Sequence, residues 1–367
     1  MSRLKILLCL TVLSLLLLGV FSLSLQSFAL TSTGTSIIKY PEGELRKTSW
    51  RDMLPHTIQG NYYNEFWIYH IFLENDLHLH LTFSLANFGT FKSAVSGGKL
   101  MVSNFNGNNY HVSREYPMDK FVIDHASQKI KLHPEREIYF EGNLPETHHV
   151  HFETSKNNVS YYVDIQFHDI SPGFTWGSGL FQVDDHSTGI FMHIPKAQVA
   201  GLVAVNSDTL RVRGTAYMDH TFQTGLSSKV MQKGFRYISH AENGFSSGYY
   251  LIPKNNQSQS DVVGFGLSNE SNQVRLNKPG RVTVEESGSI DGKSIPETIE
   301  IQYRSGELRT LRRTRNFQHV SFLEEVGGLR RRLVSSFLGG EIIEYVGKGE
   351  LNGNGLTPVN YNFFIVH

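Results

Sequence analysis

The sequence predicts an all-β fold, and three observations support this. Polar and apolar residues alternate with a period of two beyond residue 45, as they do on the half-buried strands of an antiparallel sheet. Short turn signals recur along the chain, as in a meander, sandwich or barrel. The strand-like segments are not separated by long amphipathic helices, so a parallel α/β sheet, which needs crossover helices, is excluded.

The alternation is clearest between Leu77 and Leu85, where leucine or phenylalanine occupies every second position and His78 and His80 lie between them. This pattern predicts a long strand with one buried face. Hairpins are predicted where residues that tolerate positive φ follow one another. These sites are Asn106-Gly107, Lys156-Asn157-Asn158, Asn206-Ser207-Asp208, Asn243-Gly244, Asp291-Gly292 and Ser305-Gly306.

Two helical segments are expected among the strands. Ser49 as the N-cap, with Asp52 three residues later, predicts one helical turn over Ser49–Leu54. Apolar residues also recur at helical spacing between Phe322 and Phe337, although a Gly-Gly pair interrupts the run. The second segment is therefore the weaker helix of the two.

The N-terminus has the pattern of an export signal. Arg3 and Lys5 precede an apolar run that extends from Ile6 to Leu25, and Ser27-Phe28-Ala29 is a small-x-small cleavage site. Residues 1–29 are therefore predicted to be a signal peptide. If they are retained, they would be a membrane anchor, because the run approaches the roughly 20 residues that span a bilayer. The expected location is the periplasm or the cell exterior.

Composition excludes several classes of site. Cys9 is the one cysteine of the chain, and it lies in the segment that cleavage would remove. The mature chain would then have no disulfides, thiolate metal sites or cysteine nucleophiles.

The formal net charge is zero, so no global field favours nucleic acid. Arginines cluster at positions 309–315 and 330–332, and we interpret them as solvated faces.

The most distinctive motif combines Gly214, Tyr217, Asp219 and His220 after a predicted hairpin. It resembles the Gly-x-x-Tyr-x-Asp-His-x-Trp-Gly segment of a lipocalin-like superfamily. That superfamily includes carotenoid 1,2-hydratases, AttH-like proteins, fungal survival-factor proteins and certain fungal pericyclases. Phe222-Gln223 stands where the family has Trp-Gly, so a large ring is kept but the indole donor and the flexible glycine are lost.

Two other segments fit the same resemblance. Residues 65–69 are similar to the family's Glu-x-Trp-x-Tyr strand, and residues 344–350 to its glycine-rich closing strand. The resemblance implies two lipocalin-like antiparallel β-barrels in tandem. We place the signal or anchor at 1–29, a linker at 30–45, the first barrel at 46–192 and the second at 193–367, with the break taken from a polar stretch near residues 184–189.

The resemblance implies that a barrel cavity binds a hydrophobic small molecule, such as an isoprenoid or a lipid. The implied ligand-binding residues are Tyr217, Phe222, Glu65, Trp67 and Tyr69. The alternative is an enzyme that hydrates, cyclises or isomerises an isoprenoid-like substrate.

In that enzyme the catalytic candidates are Asp219, as the proton donor, and His220. A buried carboxyl group can hold a proton near neutral pH. A regular strand would turn His220 to the opposite face, and the Asp-His pair could also serve the structure alone.

Histidines suggest metal binding, but only weakly. His78 and His80 share one face of a predicted strand, as do His149 and His151 beside His148. No carboxylate stands at an obvious ligand position, so we predict no metal and no cofactor.

Serine-hydrolase, P-loop and dinucleotide motifs are not found in the sequence. The expected partner is a hydrophobic small molecule and not nucleic acid, and the oligomeric state is left open.

Overall fold

The computed structural model describes residues 36–56, 62–89, 93–242, 244–254, 261–270, 273–324, 335–336, 339–353 and 355–367. Residues 36–367 belong to one compact unit. The predicted signal segment lies outside the described residues, as does most of the helix expected between Phe322 and Phe337. Among the described residues, no helix is long and apolar enough to cross a membrane.

Helices are few and short in the described part of the chain. Helix α1 spans Trp50–Met53 and α2 spans Ser227–Val230. Single 3₁₀ turns cover Glu74–Asp76 and Met118–Lys120. The backbone N–H of Ser49 donates to Asp52 Oδ2 at 2.8 Å, so the predicted helical turn and its cap are confirmed.

The first sheet contains fifteen of the described strands and is a nearly closed antiparallel barrel. Its strands are β1 (Ile38–Lys39), β2 (Leu45–Lys47), β3 (Tyr62–Leu73), β4 (His78–Phe88), β5 (Val95–Phe105), β6 (Asn108–Pro117), β7 (Val122–Asp124), β8 (Lys129–Lys131), β9 (Ile138–Glu141), β10 (His148–Lys156), β11 (Val159–His168), β12 (Phe174–Trp176), β13 (Leu180–Val183), β14 (His186–Val205) and β15 (Asp208–Thr224). The main path runs β6-β5-β4-β3-β15-β14-β11-β10-β9-β8-β7.

The second sheet contains nine of the described strands in the order β19-β18-β17-β16-β26-β25-β24-β23-β20. Its strands and those of a separate two-stranded ribbon, β21-β22, are β16 (Met231–Ala241), β17 (Gly244–Pro253), β18 (Val263–Glu270), β19 (Gln273–Asn277), β20 (Pro279–Glu285), β21 (Gly288–Ile290), β22 (Lys293–Ile295), β23 (Thr298–Tyr303), β24 (Leu308–Ser321), β25 (Ile342–Asn352) and β26 (Leu356–Val366). Every described strand pair of the second sheet is antiparallel.

The predicted turn chemistry is confirmed at hairpins whose turn residues the structure describes; Asn243 of the predicted Asn243-Gly244 turn lies outside the described residues. Asn106 and Gly107 have φ of +49° and +81° and connect β5 to β6. Asn157 and Asn158, with φ of +52° and +63°, connect β10 to β11. Asparagine and glycine tolerate this left-handed region, so the sequence determines where these strands reverse.

The division between the two sheets falls later in the chain than the predicted break. The polar stretch near residues 184–189 is the turn between β13 and β14, and both strands belong to the first sheet. The first sheet ends at Thr224 and the second begins at Met231, so the strand that carries Asp219 lies in the first sheet. The bounds 46–192 and 193–367 do not coincide with this division, and as domain bounds they stay a prediction.

A packed core fills the first barrel. It includes inward side chains of the alternating strand β4, namely Leu79, Leu81, Phe83 and Leu85. The opposite face of β4 is buried too, because His78 and His80 are 3% and 0% exposed. We expected the face of β4 that carries His78 and His80 to be exposed to solvent. That expectation is wrong at these two residues, because this face packs against the second sheet.

Candidate functional site between the two sheets

Strand β15 carries the central motif and lies at the centre of the first sheet, between β3 and β14. Gly214 is required there, because a Cβ at this position would lie 2.0 Å from the carbonyl oxygen of Phe72 on β3. Tyr217 and Asp219 occupy one face of β15, and His220 occupies the other. The predicted separation of Asp219 and His220 is thus observed.

Asp219 forms a buried ion pair with Arg236 of the second sheet. Arg236 donates Nε–H to Asp219 Oδ2 at 2.6 Å and Nη2–H to Oδ1 at 3.1 Å. Both residues are 0% exposed. Tyr217 donates its hydroxyl to Asp219 Oδ2 at 2.9 Å. This bidentate geometry is that of a guanidinium paired with a carboxylate anion, and not that of a carboxyl group in an apolar pocket.

Arg236 is fully charged in this environment. Burial alone would lower its pKa, but the Asp219 carboxylate outweighs burial and raises the pKa above its ordinary value. Its Nη1–H donates to Asn362 Oδ1 at 2.8 Å. The Tyr249 ring lies 3.9 Å from the guanidinium carbon, a cation–π contact. Burial raises the pKa of Tyr249 to about 12, so its hydroxyl is neutral.

A second buried ion pair joins the sheets with the opposite polarity. Lys99 of β5 donates to Glu344 of β25, and Asn362 Nδ2–H donates to Glu344 Oε1 at 2.9 Å. Burial alone would raise the pKa of Glu344, but Lys99 and Asn362 lower it below its ordinary value. Because Asn362 also accepts from Arg236, the two ion pairs form one network.

The histidines of β4 border this network. His80 Nε2 lies 3.3 Å from Glu344 Oε1, and its ring stacks on His70 at 4.5 Å. Burial holds the pKa of His70 and of His80 well below the ordinary value of 6.5, and it lowers that of His78 to about 3. These rings are neutral and stacked, and His78 and His80 do not converge with a carboxylate on one point among the described residues.

A cavity of about 1120 Å³ opens between the two sheets. Apolar side chains from both sheets form part of its wall: Phe66, Ile68, Phe88, Leu251 and Phe364. Its polar lining includes both inter-sheet cations and the groups beside them: Lys99, Arg236, Glu344, Tyr249 and Thr221. Many further charged and polar side chains border the cavity, so it combines a mostly apolar surface with more polar groups than a typical small-molecule site has.

The other face of β15 forms a separate polar cluster. His220 Nε2 lies 2.8 Å from Glu65 Oε1, and its Nδ1 lies 2.7 Å from the carbonyl oxygen of Asp52. A carbonyl oxygen only accepts, so Nδ1 carries a proton. His56 approaches the same Glu65 oxygen at 3.1 Å, and Trp67 stacks on His220 at 4.5 Å. Burial alone would raise the pKa of Glu65, but His220 and His56 lower it.

The predicted ligand-binding residues divide between these locations. Phe222 borders the cavity. Trp67 donates Nε1–H to the carbonyl oxygen of Met53 at 2.9 Å, and the Tyr69 hydroxyl lies 2.9 Å from His148 Nε2. Glu65, Trp67 and Tyr69 therefore lie on the barrel-core side of β3, while Tyr217 does not line the cavity and bonds to Asp219 behind its wall.

Sequence reasoning missed Lys99 and Arg236. Arg236 interrupts the apolar strand 235–238, and a charged residue among core side chains was a usable signal for a buried pair. Glu344 was noticed only as part of the closing strand. Lys99 has no local signal, because its partner is 245 residues away.

Known structures share this architecture. An AttH protein of Nitrosomonas europaea superposes with a TM-score of 0.61 at 10% identity, over 89% of this chain and 99% of that one. CghA, solved with Sch210972, gives 0.57 at 10% identity, over 83% and 89%. Kievitone hydratase from Nectria haematococca gives 0.50 at 11% identity, over 83% and 88%.

No family model matches the sequence, and no curated protein matches it either. The similarity is therefore one of structure. Because only about one residue in ten is identical, it shows the fold alone. The predicted all-β class with two lipocalin-like barrels in tandem is confirmed by these neighbours. The chain has the fold of the lipocalin-like AttH proteins, as the motif around Asp219 predicted.

Proposed function

We propose that the protein binds a largely apolar small molecule, isoprenoid-like or lipid-like, in the cavity between its two sheets. The observation that carries the proposal is the cavity itself, about 1120 Å³ with a lining surface that is mostly apolar. Pockets for drug-sized ligands span about 300–1,000 Å³, so a molecule of lipid size fits. The family resemblance implied that the ligand binds in a barrel cavity. The interior of the first barrel, however, is filled by its own core side chains.

The polar groups of the cavity would orient the ligand. Lys99 and Arg236 border it, but each already donates to a carboxylate. The Tyr249 hydroxyl is neutral and also lines the cavity. A hydroxyl or carbonyl group on the ligand would suit these neighbours better than a second anion, because the cations are already compensated.

Binding is favoured over acid catalysis by the state of the carboxylates. A general acid must carry a proton at the working pH. Asp219 accepts from Arg236 at 2.6 Å, and the pKa of Glu344 is lowered. Both oxygens of Asp219 thus accept from a permanent cation, and Glu344 is ionised at neutral pH. The alternative enzyme, with Asp219 as proton donor and His220 beside it, has less support because His220 faces away from the cavity.

The binding test introduces the same leucine-to-tryptophan substitution at one position inside the cavity and at one control position outside it. Leu251 is 3% exposed and borders the cavity, whereas Leu308 is 52% exposed and lies outside the cavity lining. An uncharged dansyl-labelled long-chain alcohol is the fluorescent probe. The wild type and Leu308→Trp should bind it saturably, and Leu251→Trp should weaken binding at least tenfold while keeping the β-type circular dichroism spectrum. Equal affinities for all three proteins would contradict the proposal.

A second measurement addresses catalysis. The compound that copurifies with the protein is extracted, identified by mass spectrometry and returned to ligand-free protein. Under the proposal it is recovered unchanged. Conversion that falls by about 100-fold or more in Asp219→Asn, the minimum expected for loss of a general acid, would establish the enzyme instead, provided that circular dichroism shows this destabilised variant to be folded in the assay.

A further inference from the structure

Two histidines and an aspartate converge on the outer face of the first barrel. His149 and His151 lie on β10 and point away from the core, since Val150 between them is 0% exposed within it. Asp164 of β11 is the direct cross-strand partner of His151. His149 Nε2 lies 3.3 Å from Asp164 Oδ1, and His151 Nδ1 lies 3.2 Å from Oδ2. One ligand atom from each residue lies within 4.8 Å of the others.

The remaining nitrogen of each ring also faces a carboxylate. His149 Nδ1 lies 3.4 Å from Glu141 Oε1, and His151 Nε2 lies 3.7 Å from Glu153 Oε2. Metal-bound histidines in proteins almost always donate this second N–H to a carboxylate, a carbonyl or water, which fixes the ring tautomer. His149 therefore has an orienting carboxylate within hydrogen-bond distance, whereas Glu153 lies near His151 but beyond that distance.

The contacts at Asp164 are longer than is usual for direct charge-assisted hydrogen bonds. Charge-assisted N–H···O bonds are about 2.7–2.9 Å long. In a tetrahedral site with metal–ligand bonds of about 2.0–2.1 Å, neighbouring ligand atoms are about 3.3–3.4 Å apart. The two separations at Asp164, 3.3 Å to Oδ1 and 3.2 Å to Oδ2, end on different oxygens, so a metal bound through one oxygen would draw the two rings toward that oxygen.

We propose that His149, His151 and Asp164 bind a divalent transition-metal ion, with Zn²⁺ as the best match. Two imidazole nitrogens and one carboxylate oxygen are a zinc donor set, and three protein ligands leave a fourth position for water. The Asp164 side chain is 31% exposed, so that position faces solvent. The sequence argued against a metal because no carboxylate stood at an obvious ligand position, but the pairing of β10 with β11 and β9 supplies Asp164 and Glu141.

A second cluster, His56 with Glu65 and His220, is also compact. Both of its histidines meet the same oxygen, Glu65 Oε1, at 3.1 and 2.8 Å. The shorter contact is a normal hydrogen bond and is too short for the edge of a tetrahedral site. The His56 ring also stacks on Phe222 at 4.0 Å, which covers this cluster with an apolar side chain.

The test measures zinc binding by full-length protein that has been stripped with a chelator. Equilibrium dialysis against Zn²⁺ should give one equivalent that is lost in His151→Gln and in Asp164→Asn. Glu141→Gln should keep the site but weaken its affinity about 10–100-fold, as for other orienting carboxylates. Zn²⁺ should raise the melting temperature of the wild type but not of His151→Gln.

His111→Gln is the matched control. His111 Nε2 also lies close to a carboxylate, Glu324, at 3.2 Å, but no third ligand completes a cluster there among the described residues. This variant should bind zinc as the wild type does. The proposal is overturned if the wild type binds no zinc, or if the bound equivalent survives His151→Gln and Asp164→Asn and is lost in His56→Gln.

Discussion

His220 pairs with Glu65 on the neighbouring strand and not with Asp219 beside it in the sequence. Its Nε2 lies 2.8 Å from Glu65 Oε1, and both residues are at most 1% exposed. Asp219 pairs instead with Arg236 on the other face of β15. The adjacent acid and histidine of the motif therefore belong to two different networks, one inside the first barrel and one between the sheets.

Glu65→Gln should reveal the first network through its pH dependence. The pKa of Glu65 is lowered below its ordinary value of 4.5, so its stabilising contribution is complete above that pH and is lost as the pH falls through the lowered pKa. At pH 7 the substitution should lower the free energy of unfolding by about 1.5–3 kcal/mol. In urea unfolding, the difference between the wild type and the variant should narrow toward pH 3.

The exposed Glu44→Gln is the control for this measurement, because the Glu44 side chain is 84% exposed. It should change stability little at either pH. A Glu65→Gln difference that stays the same from pH 7 to pH 3 would show that the carboxylate charge of Glu65 is not what stabilises the fold.

Asp219→Asn should destabilise the protein strongly. The substitution leaves the Arg236 guanidinium buried without a counter-ion, and removing one partner of a buried pair costs about 3–5 kcal/mol. Asp208→Asn, at the exposed start of the same strand, is the matched control and should be nearly neutral. The double variant Asp219→Asn/Arg236→Met should recover part of the loss, because the unpaired charge is gone. If the single variant is as stable as Asp208→Asn, the ion pair contributes nothing measurable.

His148→Gln should make stability less sensitive to acid. Burial lowers the pKa of His148 from 6.5 to about 3. Between those values the unfolded chain binds the proton and the folded protein does not, so stability falls as the pH drops below 6.5. From pH 7 to pH 5 this histidine alone accounts for a loss of about 1–2 kcal/mol. Urea unfolding at both pH values should show a smaller loss in His148→Gln, whereas the exposed His168→Gln should lose as much as the wild type.

Export can be checked directly on protein isolated from its native cells. Residues 1–29 have the charge, apolar run and small-x-small site of a signal peptide. N-terminal sequencing of the protein from the cell envelope or the medium should begin at Leu30. An intact Met1 in the membrane fraction would identify a retained anchor, and an intact Met1 in the cytosol would contradict export.

Much of the fold was predictable, because it depends on short stretches of chain. The alternation in Leu77–Leu85 predicted the buried face of β4, Asn106-Gly107 predicted a hairpin, and Ser49 with Asp52 predicted a helix cap. Each signal acts between residues a few positions apart. The Gly214 motif then pointed to the lipocalin-like architecture, which the structural neighbours confirm.

The β class, the turns and one buried face of strands such as β4 follow from short stretches of chain, whereas the packing of the strands and sheets sets which charged and polar groups meet. Arg236 for Asp219, Glu344 for Lys99 and Asp164 for His151 are all supplied by other strands. Turn and strand preferences depend on the backbone of a few neighbouring residues. The partner of a buried charge depends on strand register and on how the two sheets face each other, and the local sequence specifies neither.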